Sequence, residues 1–322
     1  MRPDASKPAP LTGAASPDWA ASGERGSRLL LRLMSWLSLR LGRPTSRIVL
    51  YAITAYFFLF APEARRHSLD YLRRALPRAP TAGDRFRHIL GFASTMHDRV
   101  FLLNGRLDLF DIAIEGDRLL LSALDKRGGA LLMGAHLGSF EVMRAVGRSQ
   151  TGRDVAMAMY AGNARKISAT LEAINPRLKA DIVQLGQLTA MLEIRDRLKA
   201  GALVGILGDR STGDEPGEQI MFLGAPAVFP LGPFRLAAML RCPLYFMAGL
   251  YLGGNRYRIV LEKIADFSSE PVEAGSVPIR AAVLQYAATV QRHCLAHPYN
   301  WFNFFDFWQT RLVARPDPDG AE

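Results

Sequence analysis

Cysteine is nearly absent from this 322-residue chain, which has only Cys242 and Cys294. That excludes a disulfide-dense secreted scaffold. Neither residue belongs to a C-x-x-C pair, so no zinc or iron–sulfur centre is signalled. No G-x-G-x-x-G follows the first strand candidate, which argues against hydride transfer from a dinucleotide. No G-x-S-x-G elbow occurs, so there is no sign of a serine nucleophile. Residues 48–61 are an unbroken apolar run, but a spanning helix needs about 20 such residues. Acidic residues are scarce at the start: the first hundred residues hold 16 Lys+Arg against 7 Asp+Glu, and the rest 24 against 23. The net charge of +10 therefore sits in one end of the chain. Nucleic-acid binders carry their basic patch on a folded recognition module, so this distribution disfavours a nucleic-acid partner.

What is present is apolar. A hydrophobic share of 49% with 17 Phe excludes wholesale disorder and suffices for a buried core. Residues 1–26, rich in Pro, Ala, Ser and Gly, read as a disordered tail rather than a signal peptide. Residues 27–105 read as basic N-terminal helices and 106–322 as an α/β domain. Within 28–41, leucines and Trp36 recur at helical spacing among Arg28, Arg32 and Arg40, with Arg43 just beyond. That pattern suits a helix lying in an anionic membrane interface; an amphipathic helix packed on the domain is the alternative. Run 48–61 has Arg47 before it and Arg65 and Arg66 after, which fits a segment dipped in from one side. His88 and His97, in helical stretch 69–103, lack charged partners at a telling spacing and read as core or surface residues.

Beyond residue 100, strand-like and helix-like stretches alternate, as in an α/β fold. Strands are expected at 130–135, 154–160, 181–184, 202–208 and 219–223, and a hairpin over 243–251 and 256–262. Helices are expected at 137–146, 163–174, 188–199, 230–240 and 277–296.

The sharpest chemical feature is GAHLGSFEVMRA, residues 134–145. His136 ends a strand and Glu141 follows five positions later. In an unbroken helix the two lie about 140° apart, so they meet only if His136 sits in the turn and Glu141 on the first helical turn. Gly138 and Ser139 permit such a turn. Glu141 is then expected to hold one imidazole nitrogen and leave the other as a base. With Ser139 structural, the nucleophile is a substrate hydroxyl attacking an activated acyl carbonyl. The second feature is residues 205–243, where a strand ends at Asp209-Arg210 and a Gly- and acid-rich loop leads to a helix containing Arg235. Ligands of α/β folds collect at such strand ends. Arg210 and Arg235 suit a phosphate or head group, or else pair with Asp209, Asp214 or Glu215.

HLGSFE, GDRSTG, FLGAPAVFPLGPFRLA and the closing HPYNWFNFFDFW follow one another here. In that order they resemble the lipid A biosynthesis (lauroyl/myristoyl) acyltransferase family. The resemblance implies a glycerolipid-acyltransferase-like mixed sheet flanked by helices, with N-terminal membrane-associated helices. It implies transfer of a fatty acyl chain from acyl carrier protein or acyl-CoA to a hydroxyl of a membrane lipid at the cytoplasmic face of the bacterial inner membrane. The thioester is a co-substrate, and no cofactor or metal is expected. His136 takes the place of the base and Glu141 that of its partner; Asp209 and Arg210 fall in the second signature. Typical members have an Arg after the Tyr that ends the second strand. Here Ala161 follows Tyr160, with Asn163 and Arg165 close by as acceptor contacts. The departure points to a divergent branch acylating another glycolipid, an aminolipid or a polyene lipid. The competing expectation is a non-catalytic lipid-binding or scaffolding protein that kept the fold. The aromatic end reads either as a membrane-facing or groove-wall segment, or as one packed over the core.

Overall fold

The computed structural model describes residues 28–116, 118, 128–151, 153, 155–175, 181–210, 216–268 and 276–308. The tail 1–26 lies outside them, as do Asp214 and Glu215. Four helices come first: α1 (Arg28–Leu41), α2 (Arg43–Phe60), α3 (Pro62–Ala75) and α4 (Ala82–Leu103). Pro44 and Pro62 sit in the first turns of α2 and α3, where a missing amide costs no helical hydrogen bond. The apolar run is thus the later part of a longer helix, and it turns by 94° into α3. Helix α4 starts on a capping box in which Thr81 and Asp84 exchange side-chain to backbone hydrogen bonds.

A seven-stranded mixed sheet follows, in the order β1-β9-β8-β2-β5-β3-β4. Its strands are β1 (Asp111–Glu115), β2 (Ala130–Gly134), β3 (Val155–Tyr160), β4 (Ile182–Leu185), β5 (Leu203–Leu207), β8 (Pro243–Gly253) and β9 (Arg256–Asp266). Strands β8, β2, β5, β3 and β4 run parallel. β9 runs antiparallel to β8, and β1 lies parallel to β9. Parallel strands covered on both faces must be apolar throughout, and β2, ALLMG, is buried at every position. Helices α5 (Phe140–Thr151), α6 (Ala161–Ile174), α7 (Leu188–Lys199), α8 (Gly232–Met239) and α9 (Val277–Ala296) flank the sheet. Strands β6 (Gly217–Phe222) and β7 (Ala225–Pro230) form a separate hairpin.

The expected strands and helices of the α/β region are all present, within a few residues at their ends. β1 and β7 are additions. β1 is half exposed, and β7 carries Pro226 and Pro230, which argue against a strand. A two-stranded hairpin tolerates both because it has only one ladder to keep.

One finding corrects the reading of the N-terminal charge, and another selects the packed reading of the C-terminal aromatics. Arg43 does not face lipid. It is buried, and its Nε and one terminal nitrogen each donate to the Asp98 carboxylate at 2.8 Å. Tyr257 adds a hydroxyl donor to Asp98 at 2.7 Å. Arg47 donates to the Gly254 carbonyl at 2.7 Å and to the Tyr251 hydroxyl at 3.0 Å. Helix α2 is therefore riveted to the tip of the β8–β9 hairpin. The aromatic end, in turn, is not membrane-facing: Trp301, Phe302 and Phe307 are buried. Trp301 packs edge-on against Tyr71, Phe222 and Phe307.

The loop after β2 is held on two sides. Gly138 donates to the Asn300 carbonyl at 2.9 Å, and Ser139 to the Gly249 carbonyl at 2.7 Å. Gly138 has φ +72, and a methyl group there would lie 2.0 Å from the Gly249 oxygen. One on Gly249 would lie 2.4 Å from the Ser139 oxygen. Both positions need glycine for this close approach.

Two outcomes follow for stability. Asp98→Asn leaves a buried guanidinium without its counter-charge and is expected to lower the unfolding free energy by about 3–5 kcal/mol, seen as a lower denaturant midpoint. Gly249→Ala should cost about 1–3 kcal/mol by overpacking and displace the His136 imidazole resonances in an NMR spectrum.

Candidate active site

The register of β2 and β5 builds the site. Gly134 stands opposite Leu207. Two residues further along each strand, His136 and Asp209 face each other across the same ladder direction. The His136 amide donates to Asp209 Oδ2 at 2.9 Å, and His136 Nδ1 lies 2.8 Å from Asp209 Oδ1. Trp301 Nε1 donates to Asp209 Oδ2 at 3.1 Å. An ionised carboxylate only accepts hydrogen bonds, so the imidazole proton is on Nδ1 and the lone pair on Nε2. Asp209 is fully buried, while the imidazole is 32% exposed.

The electrostatics support that protonation state. Burial opposes the Asp209 charge, but the imidazole and amide of His136, which both donate to it, and the nearby Arg210 hold it well below the usual carboxylate range. Burial and the positive charge of Arg210 push the His136 imidazole below its ordinary 6.5, against the pull of Asp209. At neutral pH the ring is a neutral base.

Glu141 does not orient the imidazole. It is buried in the first turn of α5, and its Oε1 lies 2.9 Å from Arg99 Nε on α4. This is an ion pair rather than an aligned hydrogen bond, and it ties the helix after the loop to the N-terminal helices. The reason is positional: Asp209 continues the neighbouring strand at the level of His136, whereas Glu141 has already entered the helix. A signal for Asp209 was present, since both GAH and LGD end an apolar strand with a polar residue two positions past its last paired residue. Reading it required knowing that β2 and β5 are neighbours. Ser139 is buried, and its hydroxyl accepts from the Val142 amide at 3.5 Å, the place of a helix cap.

Arg210 lies beside the pair. Its terminal nitrogen donates to the Phe302 carbonyl at 3.1 Å, and its guanidinium stacks 4.4 Å from the centre of the Phe305 ring. The Phe302 amide in turn donates to the His136 carbonyl at 2.8 Å. The backbone of one residue, Phe302, thus bridges the histidine and the arginine. Arg210 Nε is buried and without a hydrogen-bond partner. Burial pulls its pKa down to about 10, with Asp209 opposing. Among the described residues, no carboxylate comes within ion-pair distance of it. Asn163, half buried, and Arg165, exposed, lie on α6 after β3, which neighbours β5. Neither is hydrogen-bonded to His136 or Asp209. Arg235 is half buried on α8, with an unpartnered Nε.

The residues that sequence reasoning missed are on the aromatic end. Leu137 and Trp301 form an antiparallel bridge. Asn300 clasps Tyr251 of β8, accepting from its amide at 2.7 Å and donating to its carbonyl at 3.0 Å.

The arrangement can take a proton from a substrate at His136 Nε2 and hold the resulting imidazolium against a buried carboxylate. No curated protein matches the chain. Residues 98–310, which span the loop, both strand ends and the aromatic segment, match the model of the bacterial lipid A biosynthesis acyltransferases, and the chain belongs to that family.

Proposed function

We propose that this protein moves a fatty acyl chain from a thioester of acyl carrier protein or CoA to a hydroxyl of a lipid acceptor. His136 acts as general base and Asp209 orients it. The observation that carries the reading is the imidazole held by Nδ1 on a fully buried carboxylate, with Nε2 left to a substrate. In the reaction, Nε2 takes the acceptor hydroxyl proton as the oxygen attacks the thioester carbonyl. The carbon–sulfur bond then breaks, and the departing thiolate recovers the proton from the imidazolium. No acyl-enzyme is formed. Arg210, a buried cation without a paired carboxylate, suits an anionic group of donor or acceptor. Asn163, Arg165 and Arg235 are assigned to acceptor or donor contacts away from the reacting atoms. Glu141 is assigned to holding α5 in place.

The reading includes membrane attachment at the cytoplasmic face of the inner membrane, through α1 and α2. Trp36 on α1 is 56% exposed, and Ile48, Leu59 and Phe60 on α2 are 70%, 61% and 62% exposed. Large exposed apolar side chains on these two helices suit partial insertion. Among the described residues no single helix is long and apolar enough to cross a membrane; the bent α2–α3 pair passes by length and composition only.

His136→Ala is expected to reduce acyl transfer by about 10²–10⁴-fold with an unchanged circular dichroism spectrum. Asp209→Asn should lose about a hundredfold or more, and Glu141→Gln less than about tenfold. The opposite ranking of the last two, in a radiolabelled acyl-transfer assay, would return the orienting role to Glu141. Because the imidazole is depressed below 6.5, kcat/KM should fall with acid along a limb centred below pH 6.5. A limb centred above that value contradicts the assignment.

Membrane attachment has its own test. The triple variant Ile48→Ser, Leu59→Ser, Phe60→Ser removes exposed apolar surface without touching the Asp98 network. It should weaken binding to vesicles containing anionic phospholipid by about tenfold or more, the equivalent of about 1.4 kcal/mol. Unchanged sedimentation with vesicles would place the attachment elsewhere.

A further inference from the structure

We infer that Trp301 is a positioning residue for the catalytic pair: its indole N–H fixes the Asp209 carboxylate relative to the rest of the fold. The inference rests on the reading of His136 as base. Among the described residues, three donors reach Asp209: His136 Nδ1 at Oδ1, and the His136 amide and Trp301 Nε1 at Oδ2. Two of these belong to His136 itself, so they set the pair's internal geometry and not its place in the molecule. Trp301 is the donor that comes from a separate element. An indole N–H can only donate, which suits it to a permanently ionised partner.

Trp301 is itself held on every side. It is 1% exposed and packs against Tyr71 at 5.0 Å and Phe307 at 4.8 Å between ring centres. Its carbonyl accepts from His88 Nε2 at 2.8 Å, and Ser68 donates to His88 Nδ1 at 2.9 Å. The His88 ring is neutral, because burial pushes it down to about 4 against the pull of the Trp301 carbonyl. The residues on either side complete the grip: Asn300 accepts from Gly138, and Phe302 donates to His136 and accepts from Arg210. Trp301 is thus the point at which helices α3 and α4 reach the carboxylate that orients the base.

A tryptophan in an aromatic cluster has a packing role as well, and the test must separate the two. Trp308 provides the control. It lies in the same cluster, 6.1 Å from Trp301, and its own indole N–H goes to the Phe222 carbonyl at 3.2 Å, away from Asp209. Trp301→Phe and Trp308→Phe remove the same atoms from the same cluster. A third form carries β-(3-benzothienyl)alanine at position 301, which keeps the indole shape and replaces N–H by sulfur.

Two readouts are needed. The first is NMR titration of the His136 imidazole, which requires no activity. Loss of the indole donor concentrates the Asp209 charge on the imidazole and favours the imidazolium. The His136 pKa should therefore rise in Trp301→Phe and in the benzothienyl form, and stay at the wild-type value in Trp308→Phe. The second is acyl transfer. Both position-301 forms should lose about ten- to a hundredfold in kcat with KM little changed, as for a hydrogen bond to a charged group. If Trp301→Phe does not fold, the isosteric benzothienyl form decides. An unmoved His136 titration in that form overturns the inference, as does an equal shift in Trp308→Phe. Failure of the base assignment shows differently: transfer would survive His136→Ala, whatever position 301 does to the titration.

Discussion

A single fully buried carboxylate organises the catalytic half of this protein. Taking Asp209 out of water costs several kcal/mol, and that cost is offset by donors brought from two separate parts of the chain. The β2–β5 register supplies the His136 amide and imidazole, and the aromatic end supplies the Trp301 indole. Each donor demands a particular backbone path. The His136 amide requires that the chain continue straight past Gly134. The turn that follows then has to run against β8, and Gly138 and Gly249 let the two backbones come within contact distance. The aromatic segment has to return across this loop, and it does so as an antiparallel bridge. Position, turn and strap are consequences of keeping one charge buried beside one imidazole.

Helix α4 carries the same logic into the N-terminal half. Along one helix, Asp84 accepts from Tyr299, His88 meets the Trp301 carbonyl, Asp98 takes Arg43, and Arg99 pairs with Glu141. Four polar side chains thus join α4 to the aromatic strap, to α2, and to α5 after the β2 loop. Buried polar groups left half-satisfied are costly, so these contacts specify one docking of the N-terminal helices. The surface proposed to meet lipid and the base proposed to act on it are therefore parts of one rigid arrangement.

Much of the fold was legible in the sequence because it depends on local pattern. β2 and β5 are short apolar runs, and α7 and α9 keep the bounds that periodicity gives them. β1 was missed because five half-exposed residues carry little signal, and β7 because its prolines argue against a strand. At the site, His136 was legible from its place after an apolar strand. Its partner was not, because spacing along the chain offered Glu141 five residues away, while Asp209 is 73 residues away and meets it only through strand order. Strand order is a property of the whole sheet. A short-range motif therefore finds the proposed base more easily than the carboxylate bound to it.

The basic N-terminal region needs the same distinction between charge that is counted and charge that is available. Arg43 and Arg99 are committed to Asp98 and Glu141, Arg78 to Asp84, and Arg47 to the hairpin tip. These arginines serve the fold, and removing them would be felt as lost stability before any change in membrane binding. Arg66, Arg74 and Arg87 stand exposed on α3 and α4, the last two over Trp308 and Tyr299. Attraction to an anionic surface has to come from charges of this second kind. In the proposed attachment, the exposed apolar side chains of α1 and α2 set how deep the protein sits, and the screened, exposed arginines set how strongly salt weakens its approach.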